Sequence, residues 1–162
     1  MEQARAATAA DIPVLKTLWE LAVAELDGQR GGALLAGSLV TPEPFAVALE
    51  QALAAEDRLL VLGSTEDVDV GFAFVRCDRA RREPIGVIEA VYVEPSARLI
   101  GVGEAILELV VSWCAERGCQ GVDAPALPGS RPAKAFFEDH GFVARLLVMH
   151  HPLPPSPGSK HG

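Results

Sequence analysis

Two features of this chain combine residue type and spacing in a way that suits chemistry. The first is Arg98-Leu99-Ile100-Gly101-Val102-Gly103, which lies between a β-branched apolar run (Val87 to Val93) and a long apolar run of helical character (Val102 to Trp113). Glycines at a strand-to-helix junction let backbone N–H groups come close to a ligand. The helix start adds its own unpaired N–H groups and about half a positive charge. Together these make a seat for phosphate oxygens. The second feature is Glu89, an acid set in the apolar run Ile88-Glu89-Ala90-Val91. A desolvated carboxylate there suits a general base working near neutral pH. The same residue also reads as a glutamate on a solvated strand edge or paired with an arginine, and the sequence leaves both readings open.

The elements that must position these residues follow from periodicity and turn signals. Residues 3–8 read as a short first strand. Asp11 is expected to cap the next helix, in preference to a Thr8-x-x-Asp11 capping box, with Pro13 in the first turn. Ile12, Leu15, Leu18, Trp19, Ala22 and Leu26 then share one helical face. Gly28 to Gly37 reads as a mobile glycine-rich loop, and Thr41-Pro42-Glu43-Pro44 opens a second helix carrying Phe45, Leu49, Ala52 and Leu53. Leu59–Leu62, Val68–Cys77 and Ile85–Glu94 read as strands, the first two joined by a turn at Ser64 to Asp67. Gly101–Arg117 is the longest helix, with Glu104, Glu108, Ser112 and Glu116 as its wet stripe and Gly118 as its stop. Gly121–Leu127 reads as a strand, Arg131–His140 as a short helix stopped by Gly141, and Phe142–His150 as a last strand. The order β-α-α-β-β-β-α-β-α-β predicts one α/β (α+β) domain over residues 1–151 with a mixed sheet. The Pro-, Gly- and Ser-rich stretch 152–162 is expected to be a disordered tail.

Composition narrows the function. The chain has 162 residues, 49% of them hydrophobic, which suits a single packed core. A formal net charge of −8 and only 6% aromatic residues argue against nucleic acid as a partner. Arg76, Arg79, Arg81 and Arg82 form a local basic cluster that reads as a solvated hairpin loop. No apolar stretch approaches membrane-spanning length, and Met1 to Arg5 has no signal-peptide core, so a cytoplasmic protein is expected. Cys77, Cys114 and Cys119 are odd in number and lack metal-ligand spacing; they read as reduced thiols, with no metal site expected. Trp19 and Trp113 fall on apolar helix faces and read as core. His140 is expected to meet the negative end of its helix, and His150 and His151 to end a strand.

Four segments in order resemble the GNAT superfamily of acetyl-CoA-dependent N-acyltransferases. They are the opening Arg5-Ala-Ala-Thr8-Ala-Ala-Asp11-Ile12, the strand Ile88-Glu-Ala-Val-Tyr-Val-Glu-Pro95, the loop Arg98-x-x-Gly101-x-Gly103, and Ala133-Lys-Ala-Phe-Phe137-Glu-Asp-His-Gly141-Phe142. The resemblance runs from Arg5 to about His150. It implies a mostly antiparallel central sheet of about six or seven strands, helices on both faces, and a cleft where the fourth and fifth strands splay. It also implies that the pantetheine arm of acetyl-CoA bonds to backbone in the Val91-Tyr92-Val93 stretch, and that the pyrophosphate sits on N–H groups from Arg98 through Leu99, Ile100, Gly101, Val102 and Gly103 to Glu104.

The function implied is transfer of an acetyl group to an amine of a small molecule or peptide by direct attack in a ternary complex. A free alkylamine has a pKa of about 10 and needs a base; Glu89 takes that role, and a backbone N–H near Val91 would polarise the thioester carbonyl. The chain departs from the family where a tyrosine usually protonates the leaving thiolate. Phe137 stands there and has no proton to give. Ser130 replaces the usual asparagine three residues before Ala133 and keeps a hydroxyl for the cofactor. By strand alternation Tyr92 points away from the face of Val91 and Val93 unless a bulge intervenes. Arg131 and Lys134 are further phosphate partners, although Lys134 reads first as a solvated helix residue. Phe137 and the uncharged Leu99-Ile100 pair motivate a second reading, a CoA- or acyl-CoA-binding module with little transferase activity. Homodimers are common in the family, and the loop at about Gly28 to Thr41 is where it shapes the acceptor pocket.

Overall fold

A computed structural model describes residues 1–32 and 44–157. Strands β1 (Glu2–Ala6), β2 (Arg58–Thr65), β3 (Val68–Asp78), β4 (Ile85–Val93) and β5 (Val122–Asp123) form one sheet in chain order. The first three neighbour pairs are antiparallel and β4–β5 is parallel. Helices α1 (Ile12–Asp27), α2 (Phe45–Ala54), α3 (Val102–Glu116) and α4 (Arg131–Asp139) complete the architecture. The mixed α/β class holds, with five strands among the described residues instead of six or seven.

Each face of the sheet buries its own core. On one side α3 lays Val102, Ile106, Leu107, Val110 and Cys114 over Val61, Ala73, Val75 and Ile88. On the other, Leu15, Leu18 and Ala22 of α1 and Leu49 of α2 cover Leu60, Leu62, Phe72 and Tyr92. Spacings of three and four along the helices and alternation along the strands produce the two layers. Phe72, Leu15, Leu18, Leu62, Ile88 and Ile106 are fully buried, each contributing roughly 1.5–3 kcal/mol relative to exposure.

Several boundaries differ from the sequence expectation, each for a local reason. β1 is Glu2–Ala6, because at Thr8 the chain has already entered a 3₁₀ turn, Ala9–Asp11. That turn is closed by the Thr8/Asp11 box: the Thr8 N–H donates to Asp11 Oδ2 at 2.7 Å. Asp11 therefore does not cap α1 through its side chain, and Pro13 still falls in the first turn because α1 starts at Ile12. The β2–β3 turn tightens to Glu66-Asp67, both left-handed, and the flanking strands lengthen. β5 has two residues instead of seven. Pro125 and Pro128 bring no N–H to a ladder, and the chain leaves β4 after Asp123. Phe142–His150 forms no strand. The stretch has no regular secondary structure and leaves Val143, Leu146, Leu147, Val148 and Met149 exposed, with the Arg145–Asp123 ion pair joining it to β5; His150 and His151 therefore end no strand. The expected loop at Gly28–Gly37 and the helix opening at Thr41–Glu43 lie largely outside the described residues, as do 158–162 of the expected tail; the second helix starts at Phe45, after Pro44. Gly118 and Gly141 stop α3 and α4 with φ of +74° and +85°, as the glycine stops predict.

Candidate active site

β4 and β5 part company close to their start. They pair only at Gly86↔Val122 and Val87↔Asp123, with the Gly86 N–H donating to the Gly121 carbonyl at 2.9 Å. Beyond Val87 the β5 side of β4 pairs with no strand among the described residues. The Glu94 N–H donates to the Val70 carbonyl at 2.8 Å. Alternation therefore turns Tyr92 and Ala90 toward β3, and leaves Val91 and Val93 presenting N–H and C=O to the open side. The root of this wedge is tight: a Cβ at Gly86 would overlap Cys114 Sγ. The Cys77 thiol, distant in sequence from the other two, meets those of Cys114 and Cys119 under that root. Cys77 Sγ lies 3.3 Å from Cys119 Sγ, and burial pushes the Cys114 thiol up to about 12. Sequence spacing gave no sign of this cluster because the thiols come from β3, α3 and the following loop.

The glycine loop opens α3 at the mouth of the wedge. Gly101 is left-handed (φ +99°) and so is Leu99 (φ +69°), whose side chain is fully exposed. The Ala105 N–H makes the first helical bond, to Gly101. The N–H groups of Leu99, Ile100, Gly101, Val102, Gly103 and Glu104 find no backbone acceptor among the described residues. An anion is the natural partner for such a set. Gly103 has a second reason to be small, since a Cβ there would press on the Phe136 ring at 3.0 Å. The Arg98 side chain turns away from the loop. Its Nε donates to the Val93 carbonyl (2.8 Å), its Nη2 pairs with Glu25 of α1 (2.8 Å), and its guanidinium lies 5.6 Å from the centre of the Tyr92 ring. The loop thus offers backbone, not side-chain charge.

Glu89 sits at a bulge. Phe74 pairs with Ala90 and Val75 with Ile88, so Glu89 is the extra residue of β4. Ile88 faces α3, Glu89 and Ala90 both face the α1/α2 side, and Val91 faces α3 again. Tyr92 is buried beside Phe72 on the α1/α2 face, opposite Val91 and Val93, as alternation predicts. Glu89 Oε1 lies 3.2 Å from Arg58 Nη1 and 3.6 Å from Arg76 Nε. Of the two sequence readings of Glu89, the structure shows the arginine-paired one and not a carboxylate desolvated among apolar neighbours, because β2 and β3 each bring an arginine to it. Arg76 is accordingly a strand residue facing the site, not part of the solvated loop. The carboxylate looks into a cavity of about 320 Å³ lined by Trp19, Phe45, Ala52, Leu60 and Phe74, together with Arg58. Trp19 is thus a half-buried wall of this cavity, whereas Trp113 is core, with Arg117 stacked 4.0 Å over its ring.

At α4, Phe137 is buried between Phe136 and Phe142, its ring centroid 5.4 Å and 5.2 Å from theirs. Ser130 precedes the helix and Ala133 lies in its first turn. Lys134 pairs with Glu138 on the helix surface at 3.5 Å. His140 Nδ1 lies 2.7 Å from the Phe136 carbonyl at the helix end. Among the described residues, no helix is long and apolar enough to cross a membrane.

Residues 21–142 match the model of the Acetyltransferase (GNAT) family. The chain belongs to that family. It is an acyltransferase on this ground. Among curated proteins, an aminoglycoside N(6')-acetyltransferase type 1 from Stenotrophomonas maltophilia is 31% identical over 116 residues, 67% of this chain and 76% of that protein. Two solved structures show the same fold. AAC(6')-Iy in complex with a bisubstrate analogue, CoA-S-monomethyl-acetylneamine, has a TM-score of 0.74 at 17% identity, covering 96% of this chain and 99% of that one. An aminoglycoside acetyltransferase from an uncultured soil metagenomic sample, in complex with sisomicin, has a TM-score of 0.70 at 16% identity, covering 96% and 97%.

Proposed function

We propose that the chain transfers an acetyl group from acetyl-CoA to an amine of a small molecule, with Glu89 as the base that takes the amine proton. The observation that carries the reading is the bulge. At this bulge Glu89 lies on the side of β4 opposite α3 and lines a cavity, next to the stretch of β4 whose outer edge is free among the described residues. The relatives' names support an amine acceptor, since they are acetyltransferases of aminoglycosides. Acetyl-CoA supplies an activated acyl group whose thiol, with a pKa of about 8.5, can depart as thiolate.

The chain's own groups divide the remaining work. Val91 and Val93 lend backbone to the pantetheine arm in the manner of an added strand. The Leu99–Glu104 N–H groups take the pyrophosphate. A backbone N–H near Val91 polarises the carbonyl. Arg58 and Arg76 fix the Glu89 carboxylate in place. Ser130 and Ala133 lie at the start of α4, where the family resemblance brings the cofactor past. Buried Phe137 offers no proton, and this favours the second reading, a CoA-binding module with slow or no turnover. Two measurements separate the readings: a thermal-shift titration with acetyl-CoA and a thiol-release assay across a panel of amines. Saturable stabilisation with amine-dependent thiol release is expected. Stabilisation without release from any amine would leave only the binding module, and no stabilisation would remove both.

A further inference from the structure

We infer that the acceptor is a monoamine on an aromatic body, held in the cavity in front of Glu89; this rests on the transferase reading above. The walls are aromatic. Trp19 stacks on Phe45 with ring centroids 5.3 Å apart and on Phe74 at 5.7 Å, so the three half-buried rings form one wall. Ala48, Leu49, Ala52 and Leu60 fill the spaces between the rings. Such a surface takes a flat apolar body by offset or tilted stacking. A volume of about 320 Å³ lies at the small end of ligand sites and suits one ring with a short arm.

The polar groups select the charge of the ligand. Glu89 is the single carboxylate among the described lining residues, and Arg58 and Arg76 already lie within 3.2 and 3.6 Å of it. One amine nitrogen can sit at Glu89 and hand over its proton. A second ammonium would find no counter-charge among the described lining residues and would face the Arg58 guanidinium, a repulsive element that selects against polyamines. The reaction balances simply. The ammonium gives one proton through Glu89 to solvent, the free nitrogen forms a C–N bond to the acetyl carbon as the C–S bond breaks, and the second proton lost by nitrogen goes to the departing thiolate.

The test compares phenethylamine, butylamine and a polyamino sugar as acceptors for the unaltered protein. It also follows Trp19 emission in Trp113→Phe, which leaves Trp19 as the one tryptophan. The expected result is a kcat/KM for phenethylamine at least tenfold above both other amines, with a saturable change in Trp19 emission on phenethylamine alone. Thiol release that is equal for butylamine, or faster with the polyamino sugar, overturns this inference and leaves the transferase reading standing. Release from none of the amines sinks the transferase reading instead. The Trp19 titration then decides the cavity by itself: saturation by phenethylamine alone upholds its ligand class, and no response overturns it.

Discussion

Arg58 Nη1 and Glu89 Oε1 stand 3.2 Å apart across β2 and β4, although 31 residues separate them in the chain. The pairing exists because Glu89, next to inward-facing Ile88, alternates onto the face that Arg58 occupies, with Arg76 alongside, and the bulge keeps Ala90 on that face as well. A carboxylate held by two guanidiniums has its lone pairs aimed, which suits a group that must meet one nitrogen in one place.

Replacing this carboxylate by its amide tests the role directly. Glu89→Gln keeps the shape and removes the base. Turnover is expected to fall by about 10²- to 10⁴-fold, the usual worth of a general base. The acetyl-CoA dissociation constant, measured by calorimetry, should stay within about twofold, because the amide leaves the uniform binding terms alone. A parallel loss of affinity and turnover would give Glu89 a structural role.

The phosphate loop carries two left-handed residues, and they should respond in opposite directions. Gly101→Ala places a Cβ where nothing lies closer than Glu2 Cγ at 3.6 Å, so its cost is backbone strain, about 1 kcal/mol or more. It should also weaken acetyl-CoA binding. Leu99→Gly relieves the same kind of strain at an exposed side chain and should raise the melting temperature. Urea unfolding of both variants, with and without acetyl-CoA, checks the pair.

At the root of the wedge, Gly86→Ala drives a methyl into Cys114 Sγ. Overpacking of this kind costs about 1–3 kcal/mol. Cys114→Ala removes the sulfur and leaves a Cβ 3.2 Å from the new methyl, so the double variant should regain most of the loss. A double-mutant cycle by chemical denaturation should return a clear favourable coupling. Additive losses would mean that the two positions do not meet.

Acid stability has a named contributor. Hydrogen bonds from Arg5, at 2.7 and 2.9 Å, hold the Asp11 carboxyl well below the usual carboxylate range, against the opposing pull of partial burial. A depressed folded-state value means the contribution is present above the unfolded value, about 3.9, and fades as pH falls from there toward the folded value. Asp11→Asn should therefore be less stable than the parent at pH 7, with the gap narrowing below about pH 4. Thermal melts between pH 7 and 2 follow it; a gap constant with pH would remove the carboxylate from the account.

What the sequence made legible was local. The α3 stripe, the glycine stops and the Gly101 junction are patterns of one segment, and they held. The pairing of Glu89 with Arg58 and Arg76 needed three strands in register, and no spacing along the chain encodes it. The bulge has the same origin, since it is a mismatch between β3 and β4 and not a property of either. Residues 142–150 show the opposite failure. Their apolar, β-branched composition reads as a strand, yet a strand needs a neighbour, and the two paired residues of β5 are all the ladder found there. Asp11 was misassigned for a subtler reason: a 3₁₀ turn and an α-helix share it, and the carboxylate serves the turn.

The extra residue in β4 changes the strand's parity. Ahead of it, even-numbered side chains lie beneath α3; after it, odd-numbered ones do. The two halves of the strand are thus out of phase, and Glu89 marks the seam. Deleting this one position would make Ile88 and Ala90 consecutive partners of Val75 and Phe74 and restore plain alternation, so Tyr92 and the valines would keep their layers and the strand would lose only its carboxylate and its seam.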